Sequence, residues 1–127
     1  MNHELTAATK CDVELDLFLG TWYEIARFPH LFEKGLTHVT ATYRRKTPTK
    51  IGVVNQGKKH GKYKRAKGVA TLSNTACQGR LQVSFFPFVK SPYLILAYDK
   101  ENYQYAMVSS GYDYLWILSR TSYLKAD

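Results

Sequence analysis

The sequence predicts an all-β domain of eight short strands, arranged as a sandwich or as an up-and-down barrel. From Gly20 onward, runs of alternating, β-branched or aromatic residues are separated by residues typical of turns. No segment after Gly20 shows the 3.6-residue apolar period of a long helix. At 127 residues, the chain is long enough for one domain with a single core.

The strands follow one another at short intervals along the chain. They are predicted at 20–28, 38–46, 50–56, 67–73, 80–86, 93–99, 103–109 and 114–120, with turn signals at 34–35, 48–50, 56–61, 73–79, 87–92, 99–102 and 111. The fifth strand alternates most clearly, because Leu81, Val83 and Phe85 share one face and polar residues occupy the other. The sixth strand is apolar on both faces at 93–98 and therefore requires cover on both sides.

The charge of the chain is concentrated in its middle. The formal net charge is +8, and residues 34–98 contain thirteen basic residues and no Asp or Glu. A field of one sign attracts anionic partners, although a solvated basic face is an equally acceptable interpretation. The densest stretch, 58–67, is predicted as a hairpin loop and strand start whose lysines either protect a sheet edge from aggregation or bind an anion.

The sequence offers little for catalysis, and we predict that the protein is not an enzyme and uses no cofactor or metal. No motif of the GxSxG, HExxH or CxxC type is present, and the four histidines are scattered: His3, His30, His38 and His60. Cys11 and Cys77 are compatible with a disulfide or with two free thiols.

The N-terminus shows no targeting signal. There is no apolar run of 18 residues, and the first residues lack a basic region followed by an apolar one. Either the chain stays in the cytoplasm or a signal has been removed.

Two segments about ninety residues apart carry a resemblance to a known family. Residues 20–28 read GTWYEIARF, and residues 112–121 read YDYLWILSRT. Together with VTATY at 39–43 and VSFF at 83–86, they resemble the lipocalins, most closely the branch of bacterial lipocalins and apolipoprotein D. The matches extend from about 15 to 121.

The resemblance implies an eight-stranded antiparallel up-and-down barrel (a lipocalin-like, calycin barrel) with one open mouth. It implies that Gly20, Trp22 and Arg120 close the opposite end, with the arginine lying across the indole. The implied domains are an N-terminal extension at 1–14, the barrel at 15–121 and a short tail at 122–127.

Relatives continue with a helix and a further strand, whereas this chain ends seven residues after Arg120. We therefore expect no C-terminal helix, and either a truncation or a homodimer through the uncovered flank. By resemblance the location is periplasmic or outer-membrane associated. Cys11 follows no apolar segment and is not expected to carry a lipid anchor.

The function implied is binding, transport or scavenging of a small hydrophobic ligand, with fatty acid or lysophospholipid as the leading candidates. Strand alternation predicts the ligand-binding residues Glu24, Ala26, Phe28, Tyr43, Val83, Phe85 and Trp116. The alternative is a basic barrel that binds nucleic acid or an anionic membrane surface. Tyr63, between Lys62 and Lys64, is the only hint of base stacking.

Overall fold

The computed structural model describes residues 8–28, 36–85, 89–110 and 114–122, except the side chains of 28, 36, 37 and 89. The helix α1 (Leu15–Phe18), one turn long, leads into the first strand. The strands are β1 (Gly20–Phe28), β2 (Leu36–Thr47), β3 (Lys50–Lys59), β4 (Lys62–Leu72), β5 (Arg80–Phe85), β6 (Val89–Tyr98), β7 (Tyr105–Ser110) and β8 (Tyr114–Ser119). Within this described part of the chain, no helix is both long enough and apolar enough to span a membrane.

The eight strands form one closed antiparallel barrel. Each strand pairs with the next along the chain, and β8 returns to pair with β1. This topology confirms the all-β prediction and the closed up-and-down barrel, and it excludes the sandwich. Eight strands leave an interior wide enough for packed side chains or for one small ligand.

The β3–β4 hairpin is longer than the sequence predicts. A loop was expected at 56–61 and a strand start at 67, but the two strands continue to Lys59 and from Lys62. The turn contains only His60 and Gly61, which have φ angles of 50° and 78°. Positive φ at both central residues is typical of a type I′ turn, which suits the twist of a hairpin. The prediction was wrong because Lys and Gly have low strand propensity, and cross-strand pairing outweighs it here.

One end of the barrel is closed by α1 and Trp22. Trp22 is fully buried, and its Nε1 donates a hydrogen bond to the Phe18 carbonyl at 2.8 Å. The centres of the Trp22 and Phe18 rings are 4.9 Å apart. Gly20, which enters β1, has a φ of 103°, a conformation that favours glycine. The strand therefore turns sharply out of α1 and carries Trp22 straight into the core.

Arg120 covers this closed end. Its guanidinium carbon lies 3.7 Å from the centre of the Trp22 ring, within the range of a cation–π interaction. Its nitrogens donate to five backbone carbonyls, those of Leu17, Phe18, Leu19, Thr21 and Tyr103. One side chain thus ties α1, β1 and the β6–β7 connection together.

The segment that precedes α1 packs against the barrel. A disulfide joins Cys11 to Cys77 in the β4–β5 connection, which resolves the alternatives that the sequence left open. The backbone NH of Lys10 donates to the Ile95 carbonyl at 2.8 Å. Leu94 and Ile95 are both fully buried, so β6 is covered on both faces at these two positions.

Candidate functional site

The barrel encloses a cavity of about 530 Å³ whose described lining extends to the end opposite Trp22, which we call the mouth. All eight strands contribute to its lining, which is mostly apolar. Ligand-binding pockets in proteins are commonly apolar clefts of about 300–1,000 Å³ with a few polar groups. The cavity therefore has the size and the lining of a site for one small hydrophobic molecule.

Five of the seven predicted ligand-binding residues line this cavity: Glu24, Tyr43, Val83, Phe85 and Trp116. Ala26 is not among the described lining residues. The backbone of Phe28 pairs with Leu115, but its side chain lies outside the described part of the structure. Ligand contact by any of the seven stays a prediction.

A bulge in β1 explains the position of Ala26. Glu24 lies opposite Leu118, whereas Arg27 lies opposite Trp116, and the register shifts between Glu24 and Ala26. Leu118 and Trp116 both line the cavity, and directly opposed residues share a face. The extra residue of the bulge therefore brings Arg27 to the inner face in place of Ala26. Strict alternation fails here, and no feature of the sequence marks the bulge.

Arg27 and Glu24 form an ion pair inside the cavity. The NH2 nitrogen of Arg27 lies 2.6 Å from Oε2 of Glu24, and the two side chains are only 11% and 14% exposed. Burial raises the pKa of Glu24, and the hydrogen bond from Arg27 opposes this shift. The guanidinium also lies 6.0 Å from the centre of the Trp116 ring. The carboxylate thus has a protein partner, as expected for a buried charge.

A pair of tyrosines forms the floor of the cavity. The hydroxyls of Tyr43 and Tyr93 are 2.8 Å apart, and the Tyr43 ring lies 5.7 Å from Phe18 of the closed end. Burial raises the pKa of Tyr43 to about 12 and that of Tyr93 well above its ordinary value. Both hydroxyls therefore stay neutral at physiological pH, and one donates a hydrogen bond to the other.

Cationic side chains border the mouth. Lys64 and Arg65 of β4 are exposed and contribute to the outer part of the cavity lining. The Arg65 guanidinium donates to Oε1 of Gln56 from Nε at 3.3 Å and from NH2 at 3.1 Å. Charge thus increases from the neutral floor to a positive entrance.

The described part of the site contains no constellation typical of catalysis or of metal binding. Its lining includes neither His nor Cys. Across residues 8–28, 36–85, 89–110 and 114–122, no three His, Cys, Asp or Glu side chains are grouped to hold a metal ion. His38 and His60 are exposed, while His3 and His30 lie outside the described residues.

A family model described as a lipocalin-like domain matches residues 13–127. The chain belongs to the lipocalin family. This lipocalin is 48% identical over 114 residues to the outer membrane lipoprotein Blc of Vibrio cholerae, covering 87% of this chain and 66% of the relative. It is 37% identical over 115 residues to apolipoprotein D of Mus musculus, covering 84% and 60% respectively. The chain thus spans less than two thirds of the length of these relatives.

Solved structures share the fold of this lipocalin at low sequence identity. Insecticyanin from the tobacco hornworm Manduca sexta aligns with a TM-score of 0.76 at 22% identity, covering 93% of this chain and 69% of that one. The cockroach allergen Per a 4 aligns with a TM-score of 0.70 at 18% identity, covering 92% and 74%. Lipocalins bind small hydrophobic ligands, and they are generally binding or transport proteins rather than enzymes.

Proposed function

We propose that this lipocalin binds one single-chain lipid, a fatty acid or a lysophospholipid, and carries or sequesters it. The observation that supports this most directly is the apolar cavity of about 530 Å³ with a cationic mouth. Each methylene group buried in such a lining contributes about 0.8 kcal/mol. The net affinity is smaller, because the lipid loses translational and conformational freedom on binding.

The distribution of charge orients the lipid. The floor presents two neutral tyrosine hydroxyls that already bond to each other, so a carboxylate or phosphate placed there would lose its water without gaining a cation. Arg27 is already neutralised by Glu24. Lys64 and Arg65 remain close to solvent at the mouth. The acyl chain therefore points to the floor, and the anionic head group lies near these two cations.

The two tryptophans allow binding to be followed inside and outside the cavity. Trp116 lines the cavity, whereas Trp22 is sealed at the closed end. Titration with oleate or with lysophosphatidylglycerol is expected to change the fluorescence of Trp116. In Trp116→Phe the remaining signal from Trp22 should not respond, while native mass spectrometry still detects a one-to-one complex. A response from Trp22 alone would contradict the proposed position of the ligand.

Phe85→Glu tests the lining directly. It places a carboxylate beside the acyl chain, and we expect oleate to bind at least about tenfold more weakly, since this cost exceeds 1.4 kcal/mol. Gln82→Glu is the matched control, because Gln82 lies on the same strand, is exposed and does not line the cavity. Equal oleate affinity of Phe85→Glu and the parent protein, with both variants folded, would remove Phe85 from the site.

A further inference from the structure

The β3–β4 hairpin extends well beyond β5 at the mouth, and the start of β2 pairs along its other edge, where Leu36 lies opposite Lys59. We call residues 56–67 the mouth hairpin; its tip is the His60–Gly61 turn. Among the described residues, the β4–β5 ladder ends where Gly68 pairs with Phe85. Lys62, the first residue of β4, lies six residues before Gly68, a distance of about 20 Å at the rise of an extended strand. On the β5 side the hairpin therefore projects beside the entrance to the cavity, while β2 covers the outer edge of β3.

The mouth hairpin is basic on both of its faces. It carries six Lys and Arg residues and no Asp or Glu, and 62–67 are all exposed. The pairing places Lys58 opposite Tyr63 and Gly57 opposite Lys64. Because alternate residues share a face, Lys58, Tyr63 and Lys67 occupy one face, and Lys62 and Lys64 occupy the face that continues the cavity lining. Arg65 alternates with Lys64 but also contributes to the cavity lining.

Tyr63 adds an amphipathic group to this charged projection. Its side chain is 64% exposed, and the Lys58 ammonium lies 5.7 Å from its ring. Tyrosines combine an apolar body with a polar tip and are enriched at the boundary between lipid and water. An exposed tyrosine among lysines is thus suited to the head-group region of a bilayer.

We propose that the mouth hairpin docks the barrel, mouth first, on an anionic phospholipid bilayer. This orientation places the cavity entrance against the surface from which a single-chain lipid can be taken or to which it can be returned. The docking surface itself does not depend on which ligand the cavity holds. A basic residue near an anionic bilayer contributes about 1 kcal/mol, and screening by salt reduces this contribution.

A bilayer fits the mouth hairpin better than a nucleic acid does. Single-stranded nucleic acids are held by several aromatic side chains on which successive bases stack. The mouth hairpin contains one aromatic residue, Tyr63, in twelve positions. Its cations lie on one side of the entrance of an apolar cavity, and Lys64 and Arg65 contribute to the lining of that cavity.

The test compares two sets of three substitutions with the same change in charge. The first set is Lys58→Gln, Lys62→Gln and Lys67→Gln in the mouth hairpin, none of which lines the cavity. The control set is Arg44→Gln, Lys46→Gln and Lys50→Gln, three exposed residues of the β2–β3 hairpin at the closed end. Binding is measured by flotation with vesicles of mixed phosphatidylglycerol and phosphatidylcholine and with vesicles of phosphatidylcholine alone.

The parent protein and the control set are expected to bind only the vesicles with phosphatidylglycerol, and less strongly at high salt. The mouth-hairpin set should bind them about 100-fold more weakly, since about 1 kcal/mol for each of three residues is about fivefold each. Tyr63→Ser should weaken binding further by a factor that salt does not change. Equal losses in both sets, or loss of oligonucleotide binding with unchanged vesicle binding, would overturn the proposal.

Oleate affinity in solution separates this proposal from the proposed function. The mouth-hairpin set should bind oleate as the parent does. A protein that binds oleate but no anionic vesicles contradicts the docking surface alone. A protein that binds the vesicles but neither oleate nor lysophosphatidylglycerol contradicts the proposed ligand of the cavity alone.

Discussion

Arg120→Met removes the guanidinium that covers the closed end while keeping an apolar side chain over Trp22. The perturbation deletes the donors to five carbonyls and the cation 3.7 Å from the indole. The NH2 nitrogen is shared among three of these carbonyls, and some of them can be rehydrated. We therefore assign about 1 kcal/mol to each of the three donor nitrogens and about 1 kcal/mol to the cation–π contact.

The expected loss in the free energy of unfolding is about 4 kcal/mol, a large fraction of the 5–15 kcal/mol typical of a domain. Urea unfolding, followed by fluorescence in a Trp116→Phe background so that only Trp22 reports, measures it directly. Arg45→Met is the control, because Arg45 donates to Asp16 and to the Pro48 carbonyl at an exposed position and should cost less than about 1 kcal/mol.

Oleate affinity of the folded Arg120→Met protein should be unchanged, since Arg120 does not line the described cavity. A loss below about 1 kcal/mol would refute the reasoning, because the five bonds and the ring contact would then contribute no more than an exposed ion pair. Equal losses in Arg120→Met and Arg45→Met would refute it as well.

Two further predictions concern pH and the disulfide. Burial raises the pKa of Glu24, so the folded state holds the proton of this carboxyl group more tightly than the unfolded chain does. The resulting contribution to stability is fully present below the ordinary pKa of 4.5 and is lost as pH rises through the raised pKa. Glu24→Gln should remove this contribution to the pH dependence of urea unfolding, and an unchanged profile would show that Glu24 does not cause it. Cys11→Ser with Cys77→Ser opens a link across 66 residues and should cost about 4.4 kcal/mol in chain entropy while leaving oleate affinity unchanged. If the serine variant unfolds at the same urea concentration as the parent, the link does not stabilise the fold.

The strands that the sequence predicts well are those with local signals. β1 was predicted at its observed bounds, 20–28, because aromatic and β-branched residues follow Gly20. β5 was predicted nearly at its bounds because it alternates clearly between turn residues. β4 was predicted to start at 67 instead of 62, because its first residues are mostly Lys and Arg. Those residues form a strand only because β3 lies beside them and supplies hydrogen-bond partners.

The residues of the candidate site divide in the same way, into those with a local signal in the sequence and those placed by a neighbouring strand. Tyr43, Val83, Phe85 and Trp116 could be assigned to the interior because alternation along a single strand needs no knowledge of its neighbours. Arg27 could not, because the bulge that brings it inward is defined by the pairing of β1 with β8, about ninety residues away. The ion pair with Glu24 was missed for the same reason.

The resemblance to the lipocalins implied a closed barrel and the residues that close one end. Local patterns in the sequence were enough to establish an all-β domain and the number of its strands. They report the period of side chains and the positions of turns, which are properties of neighbouring residues. Three features became visible only in the folded chain: the Cys11–Cys77 link, the bulge that exchanges Ala26 for Arg27 and the length of the mouth hairpin. Each of them depends on contacts between residues far apart in sequence, for which a single sequence contains no local signal.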